Sequence, residues 1–408
     1  MRKLELLAPA GNAEKLKTAY YFGADACYFA GKKFGLRAFA GNFTDDELEQ
    51  YVNYAHSLGK KAYINVNIIA HNSDFEGLKE YLEFLVKIKA DAVIVADIGV
   101  ACYVRKYAPS LDLHISTQAN ITNVETALFF KELGAKRLIL ARELSIKEIA
   151  EISKAVGPEV EIEVFVHGAM CISYSGRCLL SNYLTGRDSN RGACVQACRW
   201  NYSITEKSRP NQKFDIQEDE RGTYILNSKD LNMIEHLDKL IEAGVTSFKI
   251  EGRMKSPNYV ATVVNAYRRA IDSISHDKPY QASEELKYEL LKASHREYTT
   301  GFFFGNAKQG EVNLDNPQAT QISEFIALVL EDTNNGMALV EQRNRFKVGD
   351  KLEILSPSEN FNKVIEITKI VNQNGEEITD AKNVQEKLYI QTNIKLNKND
   401  ILRSYVKQ

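Results

Sequence analysis

Four of the six cysteines in this 408-residue chain stand close together, as Cys171, Cys178, Cys194 and Cys198, with six, fifteen and three residues intervening. Thiols gathered in this way serve disulfide pairing, nucleophilic catalysis or metal ligation. Zinc sites ordinarily use two tight pairs with two to four residues between partners, and only Cys194 and Cys198 meet that spacing. A [4Fe–4S] cluster needs four thiolates converging from one side, but it accepts irregular loops between them. Arg177, Arg187, Arg191 and Arg199 lie among the thiols, where cations favour thiolate and balance cluster charge. The pattern favours iron–sulfur, with zinc and a metal-free site as alternatives. Cys27 and Cys102 lie apart on a predicted strand and a predicted helix and are read as core.

The segment leaves the end of "EIEVFVHG" (161–168), one of nine strand-like runs that alternate with helical stretches up to about residue 275. The others are 4–10, 24–30, 61–67, 92–97, 113–117, 137–141, 224–227 and 247–253. Runs such as "AVIVA" are apolar on both faces, as strands covered by helices must be. Helical stretches such as 45–59 and 123–134 carry apolar residues three and four apart, end at glycine and start at Asp or Asn caps. The alternation predicts an α/β fold, a (β/α)8 TIM-like barrel, with a doubly wound sheet as the other solution. Nine runs are one too many for a barrel, so "YILN" (224–227) or an end strand is expected to belong to an insertion.

Polar residues crowd the C-terminal ends of these strands: Asn65, Asn67, Asp97, Ser116, Thr117, Gln118, Arg142, Glu143, His167, Asn227, Lys229, Glu251 and Arg253. In a barrel those ends share one rim, where chemistry is done, although helix caps would draw on the same residue types. His167 is a candidate proton carrier near neutral pH, and Glu251 could act as a general base or hold Arg253 in an ion pair. Asn67, Gln118, Arg177, Lys249 and Lys255 are the candidate substrate contacts. No His-Glu-x-x-His helix and no Gly-x-Ser-x-Gly elbow occurs, which argues against the common hydrolase machineries. A Cys171–His167 nucleophile–base pair would remain if the thiol were bare.

Hydrophobic residues make up 44% and charged residues 26%, with a net charge of −2, so no global basic footprint marks a nucleic-acid binder; a local patch would have to serve. No apolar run reaches membrane-spanning length. The first strand begins so early that no signal peptide fits ahead of it, and a cytoplasmic location is expected. The expected organisation is a barrel over 1–275 with a cysteine-rich insertion at 169–223, a helix and linker over 276–321, and a small all-β barrel domain over 322–408.

The stretch "EVFVHGAMCISYSGRCLLSNYLTGRDSNRGACVQACRW" resembles the signature of the collagenase-like peptidases, family 32 of the unclassified (U) group. "ELLAPAGNAEKLKTAYYFGADACYFAG", "FKIEGRMKSPNYVATVVNAYR" and "REYTTGFFFG" are similar to the same family, so the likeness covers nearly the whole chain. Besides its peptidase label, this family supplies bacterial tRNA and ribosomal-RNA hydroxylation proteins. The resemblance implies a barrel with a [4Fe–4S] cluster on Cys171, Cys178, Cys194 and Cys198. A chain with a terminal β-domain looks most like the members that make 5-hydroxyuridine in tRNA from prephenate without oxygen. On that likeness the partners are tRNA, prephenate and an iron–sulfur assembly protein or second family member, and Arg253 would pair with the prephenate carboxylate. Peptidase activity and a non-catalytic RNA-binding iron–sulfur scaffold are the competing expectations.

Overall fold

The computed structural model describes residues 4–35, 42–171, 178–187, 194–197, 217–219, 222–224, 229–275, 278–305 and 320–405. Seven parallel strands follow in order: β1 (Glu5–Pro9), β2 (Ala26–Phe29), β3 (Lys61–Val66), β4 (Ala92–Val95), β5 (Asp112–Ile115), β6 (Arg137–Ile139) and β7 (Glu161–Ala169). After the short hairpin β8 (Gln217–Asp219) and β9 (Gly222–Tyr224), and β10 (Asp230–Asn232), strand β11 (Val245–Ile250) pairs in parallel with both β7 and β1. That double pairing closes an eight-stranded barrel. Of the surplus ninth run, Tyr224 ends a hairpin strand outside the barrel, and 225–227, Asn227 among them, lie outside the described residues. β11 also stops at Ile250, so Glu251 and Arg253 stand beyond the strand, on the rim.

The covering helices are α1 (Ala13–Tyr21), α2 (Asp45–Ser57), α3 (Leu78–Lys87), α4 (Ile98–Tyr107), α5 (Val124–Glu132) and α6 (Ile146–Val156); after the short α7 (Leu180–Thr185) come α8 (Leu237–Glu242), α9 (Pro257–Asp272) and α10 (Glu284–Leu291). Side-chain caps start most of them. Thr44 and Ser145 form reciprocal boxes with Glu47 and Glu148, and Asn12, Asp97, Asn123, Ser256 and Ser283 each accept an orphan N–H. Asp97 is thus a helix cap. β12 (Tyr298–Thr299), in the region 276–321 expected to be helix and linker, pairs with β10 and so extends the barrel sheet.

The barrel lumen departs from the usual apolar filling. Arg137 of β6, 1% exposed, donates to Glu5 (2.5 Å), Glu161 (2.8 Å from Nε) and Glu163 (2.9 Å), and Tyr63 closes on Glu5 at 2.6 Å. Glu163 also receives Lys249 Nζ at 2.8 Å and the Ser247 hydroxyl at 3.1 Å.

Residues 325–404 form a second unit, an eight-stranded antiparallel sheet folded over Ile326, Val340, Ile354, Ile365, Ile390 and Leu402. Its strands are β13 (Phe325–Val329), β14 (Met337–Gln342), β16 (Lys351–Leu355), β17 (Val364–Glu366), β18 (Ile370–Asn372), β19 (Glu377–Ile378), β21 (Lys387–Gln391) and β22 (Ile401–Ser404), while β15 (Phe346–Lys347) and β20 (Asp380–Ala381) pair separately. "KVIEITKIV", which reads as one strand, breaks into β17 and β18, which lie near opposite ends of the sheet. Arg403 ties the unit to the barrel. It donates to both oxygens of Glu289 on α10 (2.6 and 2.7 Å) and to Glu353 on β16 (2.7 Å), and Lys292 completes the buried group.

Candidate active site at the barrel rim

Immediately after β3, Asn67 donates its amide to Gln118 Oε1 at 2.7 Å, and that oxygen also accepts from Ser116 at 3.1 Å. Gln118 sits in a single 3-10 turn that begins directly after β5 and that Ser116 caps. The two candidate amides therefore form one joined pair on the rim, while Ser116 and Thr117, which donates to the Leu140 carbonyl, are occupied locally.

On the far side the end of β11 and the end of β7 meet backbone to backbone. Glu251 N–H donates to the His167 carbonyl at 2.9 Å, and Tyr259 donates to the Glu251 carbonyl at 3.0 Å. Gly168, at φ +107°, permits this: a Cβ there would lie 2.6 Å from the Glu251 oxygen. Gly11 plays the same part opposite Arg253, whose carbonyl a Cβ would approach to 2.3 Å and which accepts from Lys15 Nζ. The Arg253 guanidinium, nearly buried, donates to Asn42 Oδ1 at 2.7 Å. Asn42, on the loop before α2, carries no signal in the sequence and was not anticipated.

Three expectations change here. Lys249 does not face the mouth: its ammonium is bound to Glu163 inside the lumen and packs on the Tyr28 ring, 4.5 Å from the centroid. Lys255 turns to the Ser294 carbonyl (2.9 Å) and the Tyr259 ring. His167 is not a proton carrier near neutrality. It is 1% exposed among the rings of Tyr259, Tyr267 and Tyr298, and burial, with His295 and Lys255 adding to it, pushes its pKa down to about 3. Among the described residues its Nδ1 has no hydrogen-bond partner, whereas Cys171 is exposed, so the two do not form a nucleophile–base pair. The tyrosine enclosure was legible only as the i, i+8 repeat of Tyr259 and Tyr267 on α9.

Cys171 lies two residues past the end of β7, where Arg142 holds the Ala169 carbonyl at 2.8 Å. The buried hydroxyl of Ser181, three residues after Cys178, donates to the Arg187 carbonyl (2.7 Å) and accepts from the N–H of Val195 (3.2 Å), the residue after Cys194. Cys194 Sγ accepts the Gln196 N–H at 3.4 Å. Thiolate sulfur is the donor type suited to a soft metal centre. Cys198 and Arg177 lie outside the described residues, and among the described residues no three metal-ligating side chains converge. Cys27 is core, its thiol pKa raised by burial; Cys102, expected there too, is exposed on α4. Among the described residues no helix is long and apolar enough to cross a membrane.

Against this geometry the likeness to other proteins can be set. The chain is 43% identical to the tRNA hydroxylation protein P1 of Bacillus subtilis (strain 168), over 93% of its own length and 90% of that protein. It is 38% identical to the tRNA hydroxylation protein P of Escherichia coli (strain K12), over 90% and 89%. With the 23S rRNA 5-hydroxycytidine C2501 synthase of the same strain it shares 35% identity over 78% of this chain but 47% of that one. Residues 11–313 match the family model for peptidase family U32 and residues 321–403 that for its C-terminal domain, so the chain belongs to peptidase family U32.

Proposed function

We propose that this chain is a tRNA-modifying enzyme that hydroxylates the wobble uridine to 5-hydroxyuridine, with prephenate as co-substrate, without molecular oxygen, and with a [4Fe–4S] cluster on Cys171, Cys178, Cys194 and Cys198. The observation that carries the reading is the likeness, across nine-tenths of the chain, to proteins named for tRNA hydroxylation. The geometry is consistent with it, because the cysteine segment leaves β7 at the rim that also carries Asn67, Gln118 and Arg253.

Chemistry on a base requires that the base be unstacked and brought to the reacting groups. The Asn67–Gln118 pair offers amide donors and acceptors to a uracil edge. Arg253, oriented by Asn42, presents a planar fork suited to a carboxylate of prephenate. The His167 carbonyl accepts the Glu251 N–H and so fixes the start of the segment that carries Arg253, a positioning role. The bound cluster would supply one-electron redox capacity.

Mass spectrometry of tRNA nucleosides tests the reading. Cells lacking the chain should lose 5-hydroxyuridine and nucleosides derived from it, wild-type chain should restore them, and Arg253→Ala should not. An unchanged profile in the deletion strain would overturn the function, and restoration by Arg253→Ala would overturn that residue's role. A purified protein that binds tRNA but not prephenate would point instead to a scaffold.

A further inference from the structure

The C-terminal sheet has an open seam. Among the described residues β17 is bonded on one side only, to β16, and the sheet ends at its other limit in the β18–β19 hairpin. Between β16–β17 and the end of β21 lies a cavity of about 540 Å³ lined by Lys351, Glu366, Thr368, Gln391, Asn393 and Tyr405, among others. Among the described residues the side chains of Lys351, Gln391, Asn393 and Tyr405 make no hydrogen bond or ion pair, and the Tyr405 ring is 41% exposed. A cation, two amides and an aromatic face are thus gathered on one cavity and used by nothing among the described residues.

We propose that this cavity is a second RNA site, which takes one unpaired nucleotide of the tRNA at a distance from the barrel rim; the inference rests on the tRNA reading above. Single-stranded RNA is gripped by an aromatic platform on which a base stacks, a cation for its phosphate, and neutral amides or hydroxyls for the base edge. Tyr405, Lys351 and the Gln391, Asn393 and Thr368 side chains supply those three parts. Glu366, the cross-strand partner of Lys351, can accept from an exocyclic amine. The competing occupant, a peptide added along the edge of β17, is disfavoured because that strand has only three residues, Val364–Glu366. Since Arg403 fastens the sheet to α10 through buried charge pairs, the two RNA contacts would be held at a fixed separation.

The test uses the full-length protein with its cluster, substrate tRNA, and variants Tyr405→Ala and Lys351→Gln. Tyr405→Ala should weaken tRNA binding about tenfold, the scale of one lost base stack, and raise KM while kcat holds. Lys351→Gln should lower the slope of log affinity against log salt by about 0.7, one phosphate contact's worth on a single strand. A 4-thiouridine-substituted tRNA should photo-crosslink within residues 387–405. Wild-type turnover with both variants indistinguishable from it would overturn the inference and leave the tRNA reading standing. Wild-type protein that neither binds nor modifies tRNA would overturn both. A peptide that binds wild-type protein and is lost from Tyr405→Ala, with tRNA binding unchanged, would reassign the cavity and overturn the inference.

Discussion

Replacing Arg403 by Met should uncouple the two halves of the molecule. The guanidinium is fully buried and bridges Glu289, also fully buried, to Glu353, while Lys292 Nζ reaches Glu353 at 2.7 Å and Glu289 at 3.2 Å. Two cations therefore balance two carboxylates. Removing one cation leaves a net buried negative charge, and breaking a buried pair in this way costs about 3–5 kcal/mol, two to three and a half decades in an unfolding equilibrium. The pH dependence gives an internal check. Burial by itself would raise the Glu289 carboxyl, but Arg403 and then Lys292 outweigh it and hold the pKa below the ordinary value. A carboxylate depressed in the folded state adds stability above its unfolded pKa and loses it as pH falls through the folded value. Without Arg403, burial pushes the Glu289 carboxyl of the variant up, so it takes up a proton at higher pH than in the wild type, and the deficit of Arg403→Met should accordingly shrink as pH falls. The double variant Arg403→Met, Glu289→Leu retains the neutral Lys292–Glu353 pair and should recover more than half of the loss. Urea denaturation and calorimetry of the full-length protein at several pH values would read all three effects, with the C-terminal sheet melting as a separate, earlier transition in the single variant. A loss below about 1 kcal/mol, or a double variant no better than the single, would refute the reasoning.

Acid should erode stability through His167. Its pKa falls from 6.5 to about 3, so the native state binds fewer protons than the unfolded one between those values; stability is intact above about pH 6.5 and declines as pH drops, by at most about 5 kcal/mol. His167→Phe should move the acid-unfolding midpoint, followed by circular dichroism, to lower pH, and an unmoved midpoint would sink the assignment. Anaerobically purified wild-type protein should carry about four iron and four acid-labile sulfide per chain. Cys194→Ser should lose them and Cys102→Ser should keep them; equal iron in both variants would remove Cys194 from the ligand set.

The barrel was legible because its strands carry unbroken apolar runs and its helices carry capping residues and three–four spacing; the ninth run, 224–227, was ambiguous since a short apolar run has no period that says whether it joins the barrel. The fold of "KVIEITKIV" into two strands was hidden for a related reason, as nothing local separates Glu366 from Ile370. The rim residues were legible as a group but not in their directions. A strand's alternation places Lys249 on the inner face, yet only the position of Glu163 on the neighbouring strand β7 decides that its ammonium turns into the lumen and not toward the mouth. Arg253 was identifiable by type, whereas its partner Asn42 lies 211 positions away and left no trace. The role of Gly168 appears only when the Glu251 carbonyl is seen against it.

The charged lumen has a consequence for how this family can change. Glu5, Arg137, Glu163, Ser247 and Lys249 come from four different strands and satisfy one another in a single enclosed group. A lone substitution at any of the four charged positions strands the charge opposite it, so the route to an apolar lumen passes through variants that fold poorly. Drift there should be rare and should arrive in matched sets, leaving positions 5, 137, 163 and 249 correlated across lineages while the solvent-facing helices diverge freely around them.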